Sequence, residues 1–532
     1  MNETLSKIIQ LINTDNFYEA EQELRKIYNA NSNSFDINKI LGAALLAQRK
    51  YSTALKCYEK CYHKDQNDYD VVVNLSFIFL KIQFYENSID FCKKAISLNS
   101  NAAHSYQNLA TCYFHLSDYS NAEKYALEAI SKRGGLESKN FLATEDLVGL
   151  YANILLAQRR NNDFVEYANK ILNRHYIQRL LIMLLREERN LISNSHIEMA
   201  HDAIKSAPNL DKKIERNTKI SDAYFFLAEY YSKENQKLSE ENYVKANKVI
   251  SDMQRESIFI RQKFSKSIYE FFREFDSKNL ESEIDNQKGE GLIFVLGMPR
   301  SGTTLVESIL STAPSLQPGG EKSFFSLQLF ESITGLVNGN EIDMSLDYIK
   351  SLGDRYMEHI QAQKQSSDFF VDKLPENYLY IKFIKLCLPG AKFIHCKRDP
   401  WDNAISLFKQ NYSINIFYAS SFFGIATEIA NQEFLMNFWK KLYSEDDILT
   451  LNYEDLIADE KNTAEIIWKF FGLQGAYDPT KRKEYVGYTA SMQQVTKDIY
   501  TTSVGKEEFL SKKEEFMSDL SNQRDFWQKK IQ

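Results

Sequence analysis

The chain runs to 532 residues, more than one hydrophobic core can organise, and this length predicts roughly two to four domains. Its 43% hydrophobic and 26% charged content is ordinary for a globular protein, and a formal net charge of -7 argues against a general nucleic-acid binder, which presents a basic face. Residues 1–15 lack a cationic start followed by an apolar stretch, and no run approaches the ~18 apolar residues of a membrane span, so the expectation is a soluble, cytoplasmic protein.

The first third repeats. Tyr51, Tyr85 and Tyr119 lie 34 residues apart, each followed three positions later by a small residue, Ala54, Ser88 or Ala122. Leu41-Gly42, Leu75-Ser76 and Leu109-Ala110 recur at the same period, as do Cys61, Ala95 and Ala129. Small residues at such intervals mark where paired helices cross, and this pattern resembles the tetratricopeptide family. Phe17 to Ala20 reads as the second helix of an earlier repeat, and Asp163-Phe164 with Tyr167-Ala168 as that of a later one. Pairs of this kind bury their apolar faces only by stacking, so residues 1–174 are expected to form a solenoid whose concave face is a candidate surface for a protein partner.

Residues 175–288 stay helical without the period and are read as a capping or linker region. Residues 177–185 and 221–231 are apolar helices, and 223–228 with 243–250 reads as one more helical pair. The polar stretch 285–289 is the expected boundary before a last domain, 289–532. The cysteines give no framework: Cys57, Cys61, Cys92 and Cys112 fall at buried-looking helix positions, Cys387 and Cys396 flank an apolar strand, and no C-x-x-C occurs. Reduced core thiols are expected. His196 and His201 share no helix face well and there is no H-E-x-x-H, so no structural or catalytic metal is predicted.

From residue 291 the pattern alternates: strand 291–296, helix 303–311, strand 369–371, helix 378–386, strand 391–396, helix 402–409, strand 447–451. Such alternation implies a parallel sheet with helices on both faces and a ligand at the carboxyl ends of the strands. Between the first strand and helix lies Gly297-Met298-Pro299-Arg300-Ser301-Gly302-Thr303-Thr304. A glycine loop leading into a helix aims consecutive N–H groups and the positive helix end at one point, a recipe for holding a phosphate. The glycine spacing of a nucleotide-hydrolysing P-loop is met, but Thr303 stands where its Lys belongs and the cation sits earlier, at Arg300. A magnesium triphosphate is therefore a poor match. Lys397-Arg398-Asp399-Pro400-Trp401-Asp402 ends a second strand and enters a proline-started helix that carries Ser406, so Arg398 and Ser406 are placed to converge on a second anion.

Two anion sites in one fold suit a nucleotide phosphorylated at both ends of its ribose. With Arg398, Pro400, Asp402 and Ser406 at R-x-P-x-D-x-x-x-S spacing, the last domain resembles the sulfotransferase superfamily, and within it the bacterial tetratricopeptide-repeat sulfotransferases and the tyrosylprotein sulfotransferase catalytic domain. The fold class expected is thus an N-terminal tetratricopeptide α-solenoid followed by a P-loop-like α/β sulfotransferase domain.

The resemblance implies 3′-phosphoadenylyl sulfate as co-substrate, its 5′ end gripped by Pro299, Arg300, Ser301, Gly302, Thr303 and Thr304 and its 3′-phosphate by Arg398 and Ser406. It makes Glu321, in Pro318-Gly319-Gly320-Glu321, the general base, with Glu376 as its rival. A base is needed because a phenol, with a pKa of about 10, supplies little nucleophile at neutral pH. It gives Lys373 and Ser491 to the departing bridging oxygen, and sets Tyr453 and Lys506 near the nucleotide. Relatives carry an aromatic and basic residues after this Lys, where Glu507-Glu508-Phe509 follow here. The acceptor implied is a hydroxyl on a protein tyrosine, a glycan or a small molecule. An altered P-loop kinase or NTPase, or a non-catalytic repeat scaffold carrying a nucleotide-binding domain, are the competing readings.

Overall fold

In a computed structural model the chain forms two compact units, Met1–His175 and Tyr176–Gln532. The structure describes residues 2–14, 16–28, 31–136, 138, 140, 144–173, 175–210, 213–364, 367–412, 416–482, 485, 504–505 and 507–531.

The first unit is a row of helical pairs: α1 (Asn2–Asn13) with α2 (Phe17–Tyr28), α3 (Phe35–Ala47) with α4 (Tyr51–Lys64), α5 (Tyr69–Lys81) with α6 (Tyr85–Leu98), α7 (Ala103–His115) with α8 (Tyr119–Lys132), and α9 (Glu145–Ala157) with α10 (Asn161–Leu172). The three periodic tyrosines each open the second helix of a pair. Just before them, Arg49, Gln83 and Ser117 take left-handed backbone with φ of 61°, 65° and 61°, so the same sharp turn recurs at the same period. Ser34 and Asp68 cap α3 and α5 by accepting from the amides of Ile37 and Val71, donors that a helix start otherwise leaves without partners. The small residues lie at the crossings. A Cβ on Gly42 would stand 2.8 Å from the Tyr58 ring, and the Ser88 hydroxyl donates to the Ser76 carbonyl across the next pair at 2.8 Å. All six cysteines of the chain are buried and unbridged.

The second unit begins with α11 (Gln178–Glu187), α12 (Asn194–Ser206), α13 (Lys213–Tyr231) and the 39-residue α14 (Gln236–Glu274), then the short α15 (Lys278–Ser282). The pair expected at 223–250 is α13 with α14. The expected boundary at 285–289 lies inside this unit: Lys288 pairs with Asp354 at 2.7 Å and its carbonyl accepts from Gly390, which ties the stretch to the sheet half.

There follow β1 (Leu292–Gly297), α16 (Thr303–Leu310), β2 (Leu316–Pro318), α17 (Phe324–Val337), α18 (Leu346–Lys364), β3 (Phe369–Lys373), α19 (Ile381–Cys387), β4 (Lys392–Lys397), α20 (Pro400–Phe408), α21 (Phe422–Leu442), β5 (Ile448–Asn452), α22 (Tyr453–Ala458), α23 (Glu460–Phe471), α24 (Pro479–Arg482) and α25 (Leu510–Ile531). The five strands pair in parallel in the order β2-β3-β1-β4-β5. Every residue of the central β1 is buried, as a strand covered on both faces requires. Leu305, Val306, Ile309 and Leu310 of α16 pack with Ile293, Val295, Val371 and Ile394 in the core of one face. The chain leaves β1 for β2 and β3 on one side and crosses to β4 on the other, so the order reverses beside β1, where open parallel sheets take their ligands. The short β2 is absent from the expected elements, because three residues carry no periodicity.

Candidate active site

Four loops meet at the carboxyl ends of the strands. The first runs from Gly297 to Gly302. Arg300 holds left-handed backbone, φ 69°, which costs a non-glycine residue about 1 kcal/mol or more, so the surrounding structure fixes it there. That turn sends its side chain toward α20, where Nε donates to Ser406 Oγ at 3.2 Å. Gly302 leads into α16 with φ 97° and lies so close to Tyr453 that a Cβ would stand 2.7 Å from the ring. Ser301, Thr303 and Thr304 are all buried, and the Ser301 hydroxyl has no hydrogen-bond partner among the described residues.

The second loop joins β4 to α20. Asp399 caps that helix, accepting from the amides of Trp401 and Asp402 at 3.0 and 2.9 Å, while its own N–H donates to Glu454. The cap sets Arg398 pointing back across the sheet. Its Nη1 donates to the Arg300 carbonyl at 2.8 Å, and its guanidinium lies 4.4 Å from the centre of the Tyr453 ring. Asn403, buried, donates to the Pro299 carbonyl at 3.0 Å and locks helix to loop. Arg300, Arg398, Ser406 and Tyr453, from four separate segments, therefore surround one point. Burial lowers the pKa of the Arg398 guanidinium; Tyr453 opposes the shift and Arg300 adds to it. A desolvated arginine beside a second cation concentrates positive charge at this point. Arg300, which the resemblance gives to the 5′ end of the nucleotide, makes its side-chain bond to Ser406, which the resemblance gives to the 3′ end.

The third and fourth loops bring a carboxylate and an ammonium together. Lys373 ends β3 in register with Val295 of β1, and its side chain is wholly buried. Its Nζ meets Glu321 Oε1 at 2.6 Å, whereas the Glu321 side chain stays 42% exposed, open to an incoming group. Backbone pairing holds the two together: the Gly319 amide donates to the Val371 carbonyl at 2.8 Å and the Lys373 amide to the Gly320 carbonyl at 2.9 Å. Glu376, the rival base, is instead held by Arg261 of α14 at 2.9 Å, and Arg261 also pairs with the buried Glu428 at 2.7 Å. Ser491 and Lys506 lie outside the described residues.

Three residues that sequence reasoning missed belong here. Glu307 of α16 is fully buried, and burial pushes its pKa up; its Oε1 accepts from the Gly320 amide at 2.8 Å, one residue from Glu321. Asp372, beside Lys373, accepts from the Tyr356 hydroxyl at 2.8 Å and from Asn377 at 3.2 Å, and burial raises its pKa to about 7. Tyr412, six residues beyond Ser406, has a phenol that feels both Arg300 and Glu321, and burial pushes it up to about 12. Glu307 and Asp372 had a faint signal, an acid inside an otherwise apolar helix or strand; Tyr412 had none.

Parallel sheet, glycine loop without its lysine, paired arginines and a lysine–glutamate couple define an α/β domain that gathers its charged side chains at the carboxyl ends of the strands. The family model described as Sulfotransferase family matches residues 293–479, and this part of the chain is a sulfotransferase-family domain. An uncharacterised protein of Aquifex aeolicus (strain VF5) is 32% identical over 248 residues, covering 42% of this chain and 32% of its own length. Protein-tyrosine sulfotransferase 1 of Danio rerio is 23% identical over 203 residues, covering 37% of this chain and 57% of its own. The chain thus spans about a third and somewhat over half of these two relatives. Among solved structures, the sulfotransferase domain from the Synechococcus PCC 7002 olefin synthase is 17% identical, covering 44% of this chain and 96% of its own, with a TM-score of 0.30.

Proposed function

We propose that the protein transfers a sulfuryl group from 3′-phosphoadenylyl sulfate to an acceptor hydroxyl. The observation that carries this is the Lys373–Glu321 couple at 2.6 Å, held at the strand ends of the same sheet edge as the Arg300–Arg398–Ser406 anion site. The buried Ser301 hydroxyl and the loop amides suit a phosphate, and the absent P-loop lysine argues against a magnesium triphosphate.

The nucleotide supplies an activated sulfuryl group. Glu321 removes the acceptor proton as the acceptor oxygen bonds to sulfur, in line with the sulfur–oxygen bond that breaks. An ammonium has three N–H donors, so Lys373 can keep Glu321 in place and still stabilise the charge that develops on the departing 5′-phosphate oxygen. Arg398, Arg300 and Ser406 hold the nucleotide, and the products are the sulfated acceptor and 3′-phosphoadenosine 5′-phosphate. No protein nucleophile is required. Tyrosine on a protein is the acceptor we favour, since a helical-repeat unit is suited to presenting a chain and a relative carries a protein-tyrosine sulfotransferase name.

Calorimetry compares 3′-phosphoadenosine 5′-phosphate with ATP plus Mg²⁺; the former should bind at least tenfold tighter. Labelled sulfate should then pass from the donor into a tyrosine peptide panel, with Glu321→Gln as the blank. Tighter, magnesium-dependent ATP binding would sink the reading in favour of a kinase or NTPase.

A further inference from the structure

Helix α20 is only nine residues long, yet Ser406 rides on it and Arg398 immediately precedes its N-cap, Asp399. The last carbonyls of such a helix have no partners inside it and must find them elsewhere. The Phe408 carbonyl, at its end, accepts from Asn247 Nδ2 of α14 at 2.8 Å. Asn247 is 3% exposed, and its amide also donates to the Tyr243 carbonyl one turn back at 3.0 Å, so the side chain is fixed from both sides. Just beyond, Asn411 donates to Asp222 of α13 at 2.7 Å and Lys409 pairs with Glu508 at 2.6 Å.

The chain that returns before α25 holds the same helix. Asp402, in the first turn of α20, accepts from the Gly505 amide at 2.8 Å, so this carboxylate serves a backbone contact. Phe509 takes left-handed backbone, φ 56°, an unfavourable state for an aromatic residue that only firm surroundings sustain. Its N–H donates to Glu240 of α14 at 3.2 Å, and its ring, 3% exposed with the residue, packs edge-on between Phe408, Phe422 and Tyr243. The helix is therefore gripped at both ends, and at its carboxyl end the grip comes from α13 and α14.

We infer that the α13–α14 hairpin is a working part of the nucleotide site. Asn247, together with the Glu240–Phe509 contact, positions α20 so that Ser406 meets the 3′-phosphate. Asn247 and Glu240 are positioning residues, and the inference rests on the sulfotransferase reading. It places recognition of the nucleotide's 3′ end under the control of helices outside the β/α alternation.

The test uses the full chain and calorimetry with two ligands, 3′-phosphoadenosine 5′-phosphate and 5′-AMP, which lacks the 3′-phosphate. Asn247→Leu, which keeps the branching and the number of side-chain heavy atoms but removes the donor, should weaken the first ligand at least tenfold and the second less than twofold. Glu240→Leu should shift binding in the same direction, and Glu240→Gln, which keeps an acceptor for the Phe509 amide, should bind as wild type. Should Asn247→Leu fail to melt cooperatively, the Glu240 pair decides. Equal losses for both ligands, or no loss for either, overturn the inference. A wild-type chain with no preference for the 3′-phosphorylated ligand overturns the sulfotransferase reading itself, a separate result.

Discussion

Replacing Gly302 by alanine tests the geometry that joins the glycine loop to the arginine site. Two effects add. Left-handed backbone at φ 97° costs an L-residue about 1–2 kcal/mol. The new Cβ would also stand 2.7 Å from Tyr453 Cδ2, well inside contact, so the ring must shift. That ring lies 4.4 Å from the Arg398 guanidinium, and losing the contact forfeits about 0.5–2 kcal/mol. Together the substitution should destabilise the second unit by about 1.5–4 kcal/mol, a fall in Tm of several degrees. Because Arg398 is disturbed as well, affinity for 3′-phosphoadenosine 5′-phosphate should drop about tenfold, roughly 1.4 kcal/mol. Scanning fluorimetry and calorimetry on the same preparation read both. Introducing Gly302→Ala into a Tyr453→Ala chain separates the terms: measured against Tyr453→Ala, where there is no ring to strike, it should cost only the backbone share of about 1–2 kcal/mol. A Gly302→Ala chain that melts and binds as wild type would refute both arguments at once.

Lys373→Met removes a buried charge whose partner, Glu321, is half-exposed and stays hydrated, so Tm should be unchanged or higher while transfer slows about 10²–10³-fold. Nucleotide affinity should be preserved, and a parallel loss measured by calorimetry would assign Lys373 to ground-state binding instead. Glu307→Leu leaves the Gly320 amide without its acceptor and should slow transfer about tenfold through the displaced Glu321 loop; Glu307→Gln keeps an oxygen there and should recover most of the rate in steady-state assays. Asp372 has a folded pKa of about 7, above its unfolded value of 3.8, so its protonated form stabilises the fold fully below about pH 4 and that contribution is lost as pH rises through 7. Denaturant unfolding at pH 5 and pH 8 should show a difference of order 2–4 kcal/mol from this group, and Asp372→Asn should flatten it. An unchanged slope in the variant would mean that another group carries the dependence.

The repeats were legible in the sequence because their cause is local. A period of 34 residues puts small side chains at the crossings and an aromatic, Tyr51, Tyr85 or Tyr119, at the start of the second helix in three successive pairs. The glycine loop and the proline-started helix after β4 were legible for a similar reason: turn chemistry and capping act over a few residues, so Gly302 and Pro400 announce their positions. Less was legible in α14. Of its 39 residues only 243–250 reads as half of a helical pair, since Arg261 draws its partners Glu376 and Glu428 from far along the chain.

What the sequence determined by itself is the vocabulary of the site: a glycine loop leading into a helix, an arginine at each of two strand ends, and a lysine and a glutamate in the neighbouring segments. Only the tertiary structure decided how these meet. Parallel register brings Lys373 onto Glu321, the left-handed turn at Arg300 delivers it to Ser406, and the sheet that covers α16 buries Glu307 where it can hold the base loop. Burial and register are properties of neighbours remote in sequence, and no local pattern of residues encodes them.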